Sequence, residues 1–304
     1  MKLATDTIWF APPALPPAGC AIVRLLFAIT VYFTVPGGMG LVEQPEPVGI
    51  ARLFDLTFLS QPGVMPTIKL LLIPVLIFYA LGFGAPVTLT LMLLATVLPG
   101  TLDNSQGATQ HSLQAVSLIT LAQLIYHLAA CTKWIDHDRS TRSRWGVFMG
   151  QQAIVAAYTV TALTKLGRSG LGWIAESKNF PIQMTKNIQM QYYNTLEPET
   201  VAGFWAKSSA WLQQVLVDSP NLCRLLMSGG LFLELFAILA LCGRRFAAAY
   251  GALLIVFHIL VRSMTGLNFR YHIAALFIFL ILPTLISFIQ NLSAPRSAAK
   301  VNEL

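Results

Sequence analysis

Charged side chains are what this 304-residue sequence has least of. Asp, Glu, Lys and Arg together make 11% of it, against roughly a quarter in soluble domains. That shortage excludes a large water-soluble domain. Cysteine is also sparse, with Cys20, Cys131, Cys223 and Cys242 the only four. They form no CxxC pair, and only Cys223 is expected near the outer face of the topology below, so no disulfide framework is expected. There is no GxSxG elbow, no P-loop and no GxGxxG after a strand, which leaves hydrolase, NTPase and Rossmann readings without support. No histidine pair has HxxxH spacing, and no metal site is expected. Internal repeats are absent, and no pair of broken helices supports a transporter.

Hydrophobic residues fill the space. They make 55% of the chain, and the mean hydropathy is +0.65. The apolar runs are continuous rather than alternating. Lipid cannot hydrogen-bond a backbone, so such runs span as helices of roughly 20 residues. We place about eight, near 19–38, 67–84, 86–102, 111–131, 147–166, 222–242, 246–264 and 271–289. The fold class is therefore all-α, a polytopic integral membrane bundle forming one domain over 1–304. The first run has no small-residue cleavage site and is read as a retained helix, not a signal peptide.

Net charge is +7. The Lys and Arg residues sit in short loops, and no basic-aromatic motif accompanies them, so no nucleic-acid partner is expected. Lys133, Arg139, Arg142 and Arg144 fall in one loop, Arg244 and Arg245 in another, and Arg296 and Lys300 in the tail. Glu43, Glu46, Asp55 and Asp103 fall in the opposite set. By the positive-inside rule both termini are expected on the cytoplasmic side of the cytoplasmic (inner) membrane. Arg262 and Arg270 do not fit this order, since they flank an outer turn. They are either misplaced by the count or held inside the protein.

The longest connection, about 167–221, is expected on the outer side. Val201, Phe204, Trp205, Trp211, Leu212, Val215 and Leu216 recur there at helical spacing. This suggests an interfacial amphipathic helix.

Ionisable residues inside spans are costly and are functional candidates by default. Lys165 ends the fifth run, and Tyr158 and Thr161 precede it at positions that share its helix face. It is either a desolvated base or a side chain snorkelling to the interface. Glu234 lies in the middle of the sixth run. It requires a partner or a proton, and Arg24 in the first run is one candidate partner. His258 lies in the seventh run, one turn before Arg262, while His272 opens the eighth and His127 lies in the fourth. A lone histidine in a span is more often a satisfied core residue than a ligand. His111 follows the polar string DNSQGATQ and reads as an outer-loop or capping residue. The string WIDHD at 134–138 reads as a solvated turn.

The string AAYTVTALTKLGRSGLGWI resembles the signature of the HTTM family, the membrane domain shared with vitamin K-dependent γ-glutamyl carboxylase. There a helix of small and aromatic residues ends in a Lys-Leu pair and is followed by an outer loop with a Trp, here Trp173. The glutamate in LFLELFAIL, the GRR turn at 243–245, the histidine in IVFHILVRSMTGLNF and the arginine in IVRLLF are also similar to the family. The resemblance covers most of the chain and implies that Lys165 is a base acting on a quinone or hydroquinone at the outer face. It also implies that TQHSL brings His111 near the site.

Departures limit what carries over. The carboxylases continue into a large lumenal domain, and the last run here falls close to the chain's end. A second catalytic histidine of the carboxylases has no match, so glutamate carboxylation is not implied. The chain looks more like the compact bacterial members of the family, one of which matures a secreted peptide. The expected function is quinone-linked proton abstraction or oxidative modification, with a secreted peptide as a possible substrate. Lys165, His111, Tyr158 and Thr161 would be catalytic, and Glu234, His258, Arg24 and Trp173 would hold the cofactor. The alternative is a non-catalytic membrane subunit scaffolding a larger complex, its buried charges structural.

Overall fold

The computed structural model describes residues 11–41, 49–106, 111–132, 135–198, 202–265, 267 and 269–293. Glu43, Glu46, Lys133, Arg296 and Lys300, which enter the charge pattern above, lie outside them, as do Val201 and the side chain of Trp205. Among the described residues the chain forms helices and turns but no strand.

Eight helices are long and apolar enough to cross a membrane. They are α1 (Pro17–Thr34), α2 (Val64–Leu81), α3 (Ala85–Ser105), α4 (His111–Cys131) and α5 (Arg139–Ser169). After two shorter helices, α6 (Phe180–Thr195) and α7 (Phe204–Asp218), come α8 (Pro220–Cys242), α9 (Arg244–Thr265) and α10 (Arg270–Ser293). The last 3₁₀ turns of α8 begin at Phe236, and α10 carries a π-turn at Phe277–Ile281.

Local chemistry sets the ends. α1 opens with Pro17 in its first turn, where a missing N–H costs nothing. It stops at Val35, ahead of Pro36, whose ring disfavours helical geometry in the residue before it. Lys69, on the apolar α2, donates to the Val35 carbonyl at 3.0 Å. This satisfies an acceptor left open by the end of α1. The α2–α3 turn is made by Gly82 (φ 77°) and Gly84 (φ 56°), both left-handed.

α5 starts eight residues before its expected boundary at 147. The polar string RSTRSRW forms its first two turns, nucleated by Asp138, whose Oδ1 accepts from the Thr141 N–H at 3.0 Å. Those hydrogen bonds from Thr141 hold the Asp138 carboxyl below its ordinary range.

α5 packs against α1, α4, α8 and the π-turn of α10. Between spans in lipid there is little hydrophobic drive, so close approach through small residues carries association. Gly150 lies directly under the Phe279 ring, and a Cβ there would overlap it. Phe27 of α1 meets the same ring edge-on at 5.2 Å. The π-turn also leaves its Phe279 carbonyl open to Gln151 of α5, whose Nε2 donates to it at 2.6 Å.

Among the described residues, the connection between α5 and α8 holds two longer helices rather than one, after a short helical stretch at 172–179. Leu216 of α7 joins Met184, Cys223 and Met264 in a small second core. Phe204 and Trp211, on another face of α7, are exposed. Arg262 and Arg270 are both exposed beside the α9–α10 turn, not held inside the protein.

Candidate functional site

Two polar clusters interrupt the apolar bundle, one toward each end of α5. Residues 143 and 165 are separated by about 33 Å along an ideal helix.

The first cluster sits where α5, α8, α9 and α10 meet. Lys165 Nζ lies 2.5 Å from Glu234 Oε2. The lysine side chain is 23% exposed and the glutamate 8%, so this is a largely desolvated ion pair rather than a snorkelling lysine. Its partner is not Arg24. Trp173 covers the ammonium from the loop after α5, at 5.0 Å from its ring centroid, within cation–π range.

Two turns further into the bundle, the Tyr158 hydroxyl hydrogen-bonds His258 Nε2. The His258 ring lies 4.6 Å from Phe269 and 5.7 Å from His272, centroid to centroid. His111, at the start of α4, also stacks on Phe269 at 6.4 Å and approaches Gln114 Oε1 at 3.4 Å. The charge of Glu234 reaches Tyr158, and that of Lys165 reaches His258. Buried Nδ1 atoms of both His258 and His272 have no hydrogen-bond partner among the described residues.

Six of the eight expected site residues therefore converge: Lys165, Glu234, Tyr158, His258, Trp173 and His111. Two do not. Thr161 is exposed and donates back to the Ala157 carbonyl at 2.7 Å. Three residues from Tyr158 is 300° of helix turn, and the inward face of α5 passes instead through Ala162, which is fully buried. Arg24 belongs to the second cluster. His272 and Phe269 were missed as site residues. His272 carried the signal, a histidine at the mouth of a span, but nothing in the sequence ties it to His258.

The second cluster surrounds a cavity of about 1060 Å³ at the opposite end. Arg24 donates from Nε to the Ala80 carbonyl at 3.2 Å and from its terminal nitrogen to the Ser143 hydroxyl. Beside it, Tyr79 donates to Gln123 Oε1 at 2.8 Å. His137 of the WIDHD string is not a solvated turn residue. Its Nδ1 lies 2.9 Å from the Tyr126 hydroxyl, and its ring stacks on Trp145 at 5.7 Å.

The fold and sites define an all-α bundle with eight helices of membrane-spanning length and ionisable groups buried at two levels. Compared with known proteins, the chain matches no protein-family model, no curated protein and no solved structure.

Proposed function

We propose that this protein is a compact HTTM-type membrane enzyme that abstracts a proton from a quinol at the outer face of a bacterial inner membrane. The observation that carries the reading is the Lys165–Glu234 pair, 2.5 Å apart between two spanning helices and adjoining the Tyr158–His258 hydrogen bond. The charge order of the loops supports cytoplasmic termini, which would set this cluster toward the outer side.

The donor set suits a quinone. Two buried imidazole nitrogens without partners among the described residues, on His258 and His272, offer hydrogen bonds to ring oxygens, and Phe269 offers an aromatic face. A bound quinol supplies a lipid-soluble hydroxyl with an acidic proton and two-electron redox chemistry. A lysine takes a proton only when neutral. Glu234 is placed to accept the Nζ proton, converting an ion pair into a neutral amine and carboxylic acid, a form that low dielectric favours. Neutral Lys165 then removes the hydroxyl proton and regains its charge beside Glu234. His258 and Tyr158 hold the inner wall of the site, Trp173 limits water, and His111 stands where an outer-side substrate, such as a secreted peptide, would arrive.

Extraction of the protein purified in mild detergent tests the reading. A stoichiometric quinone in the wild type, with redox behaviour altered in Lys165→Ala, is expected. The competing reading is a scaffold subunit, favoured by the mutual neutralisation of the two charges. It is supported if no quinone is found and complex assembly survives the substitution.

A further inference from the structure

The cavity at the other end of α5 has no part in the chemistry proposed above. It combines space, unbalanced charge and open donors. Arg24, Arg139 and Arg142 line it together with His127 and His137, and among the described residues Asp138 is the only carboxylate in its wall. Three guanidiniums against one carboxylate leave an excess of two positive charges. Asp138 is also engaged, because its Oδ1 caps α5.

None of the three arginines makes an ion pair among the described residues. Arg24 is held by neutral oxygens alone, the Ala80 carbonyl and the Ser143 hydroxyl. Arg142 Nε is buried with no partner among the described residues. A guanidinium at the end of a membrane bundle, bonded only to neutral groups, lacks the counter-charge that desolvation demands.

The backbone adds to the field. The first residues of α1, α3 and α5 (Pro17, Ala85 and Arg139) all line the cavity, and each begins a helix of at least 18 residues. α3 has no side-chain cap, so its first amide donors are open, and helix N-termini favour anions. Gly82 leaves the room the arginine needs, since a Cβ there would lie 3.1 Å from the Arg24 guanidinium. Val23, Val147 and Pro17 give part of the wall an apolar face.

We propose that this cavity binds a phosphate-bearing anion, the phosphate against Arg24 and Arg142 and any apolar remainder along the wall. A phosphate offers up to two negative charges and several acceptor oxygens, which matches the charge excess and the guanidinium forks better than a single carboxylate. The phosphate comes either from an anionic phospholipid headgroup or from a soluble phosphate.

The test uses the full chain in mild detergent, followed by thermal melting. One arm adds phosphatidylglycerol against phosphatidylcholine, the other inorganic phosphate against chloride at equal ionic strength. A saturable rise in Tm in at least one arm is expected, weakened at least tenfold in apparent affinity by Arg24→Gln. Should Arg24→Gln fail to fold, Arg139→Gln/Arg142→Gln, nearer the cavity mouth, is expected to weaken it likewise. A response to phosphatidylglycerol alone identifies the headgroup as source, and one to inorganic phosphate alone identifies a soluble ligand. No rise in either arm, or a rise undiminished in every variant that folds, overturns the proposal.

Discussion

Lys165 and Glu234 each carry a charge that lipid does not solvate, and each is the other's remedy. Removing one strands the other. Lys165→Ala is expected to lower stability by on the order of 3 kcal/mol, the scale for breaking a buried pair, read as a fall in the melting temperature in detergent. The pair replacement Lys165→Met/Glu234→Leu removes both charges at similar volume, so most of that loss is expected to return. Tyr158→Phe deletes the hydroxyl that meets His258 Nε2. With Nδ1 already unpartnered among the described residues, both ring nitrogens would then be buried without partners there, a cost of about 1–3 kcal/mol. Retention of wild-type melting by Tyr158→Phe would contradict this assignment. At this scale the sequence was informative wherever a polar group stood in an apolar run. Lys165, Glu234 and His258 could be chosen because each was costly. Which of them pair could not be read, because Lys165 and Glu234 are joined across 69 residues by helix packing that no local pattern encodes. Thr161 misled for the opposite reason. A hydroxyl satisfied by its own helix, on the Ala157 carbonyl, can face lipid at little cost.

Helices meet here through small contacts with little tolerance. Gly150 lies under Phe279 where α5 packs on α10, and Gly150→Ala is expected to cost about 1–3 kcal/mol by overpacking. The measurement is again the melting temperature, and an unchanged value would mean the ring can move aside. The start of α5 makes a different claim. The Asp138 carboxyl is held below its ordinary pKa by Thr141, so its capping contribution is full above the unfolded value of 3.8. It is lost as pH falls through the lower folded value. Protection of the first-turn amides of α5, their exchange relative to the intrinsic rate at each pH, is therefore expected to fall below about pH 4, and Asp138→Ala is expected to abolish that step. The spans were legible because length and apolarity alone decide them. The first two turns of α5 were not, since RSTRSRW has a loop's composition and becomes helical only through its cap and its tertiary neighbours. The other helix of the long connection, α6, was hidden in the same way. FPIQMTKNIQMQYYNT is too polar to announce itself, and it is anchored in the small core by Met184 with Phe180 packed alongside.

The bundle as a whole separates two kinds of chemistry by about the length of a span. An ion pair with aromatic and imidazole neighbours lies toward one end, and a basic cavity toward the other. The orientation that gives them meaning rests on loop charge and can be checked with the protein's own thiols. Cys131 is exposed at the end of α4, while Cys20 and Cys223 are buried. In intact bacterial cells a membrane-impermeant thiol reagent is expected to leave Cys131 unlabelled until the membrane is opened. Labelling in intact cells would invert the topology. The all-α class followed from composition alone, whereas the cavity had no signature, because its arginines and glycines come from three separated stretches of chain. The central claim is that the Lys165–Glu234 pair moves a proton rather than merely holding two helices together, and Lys165→Met/Glu234→Leu tests it most directly. The variant should be compared with wild type for both melting temperature and the ionisation of an added quinol across pH, read by its ultraviolet absorbance. Proton transfer by the pair requires near-native melting with the protein-dependent ionisation abolished. Near-native melting with ionisation unchanged would contradict it.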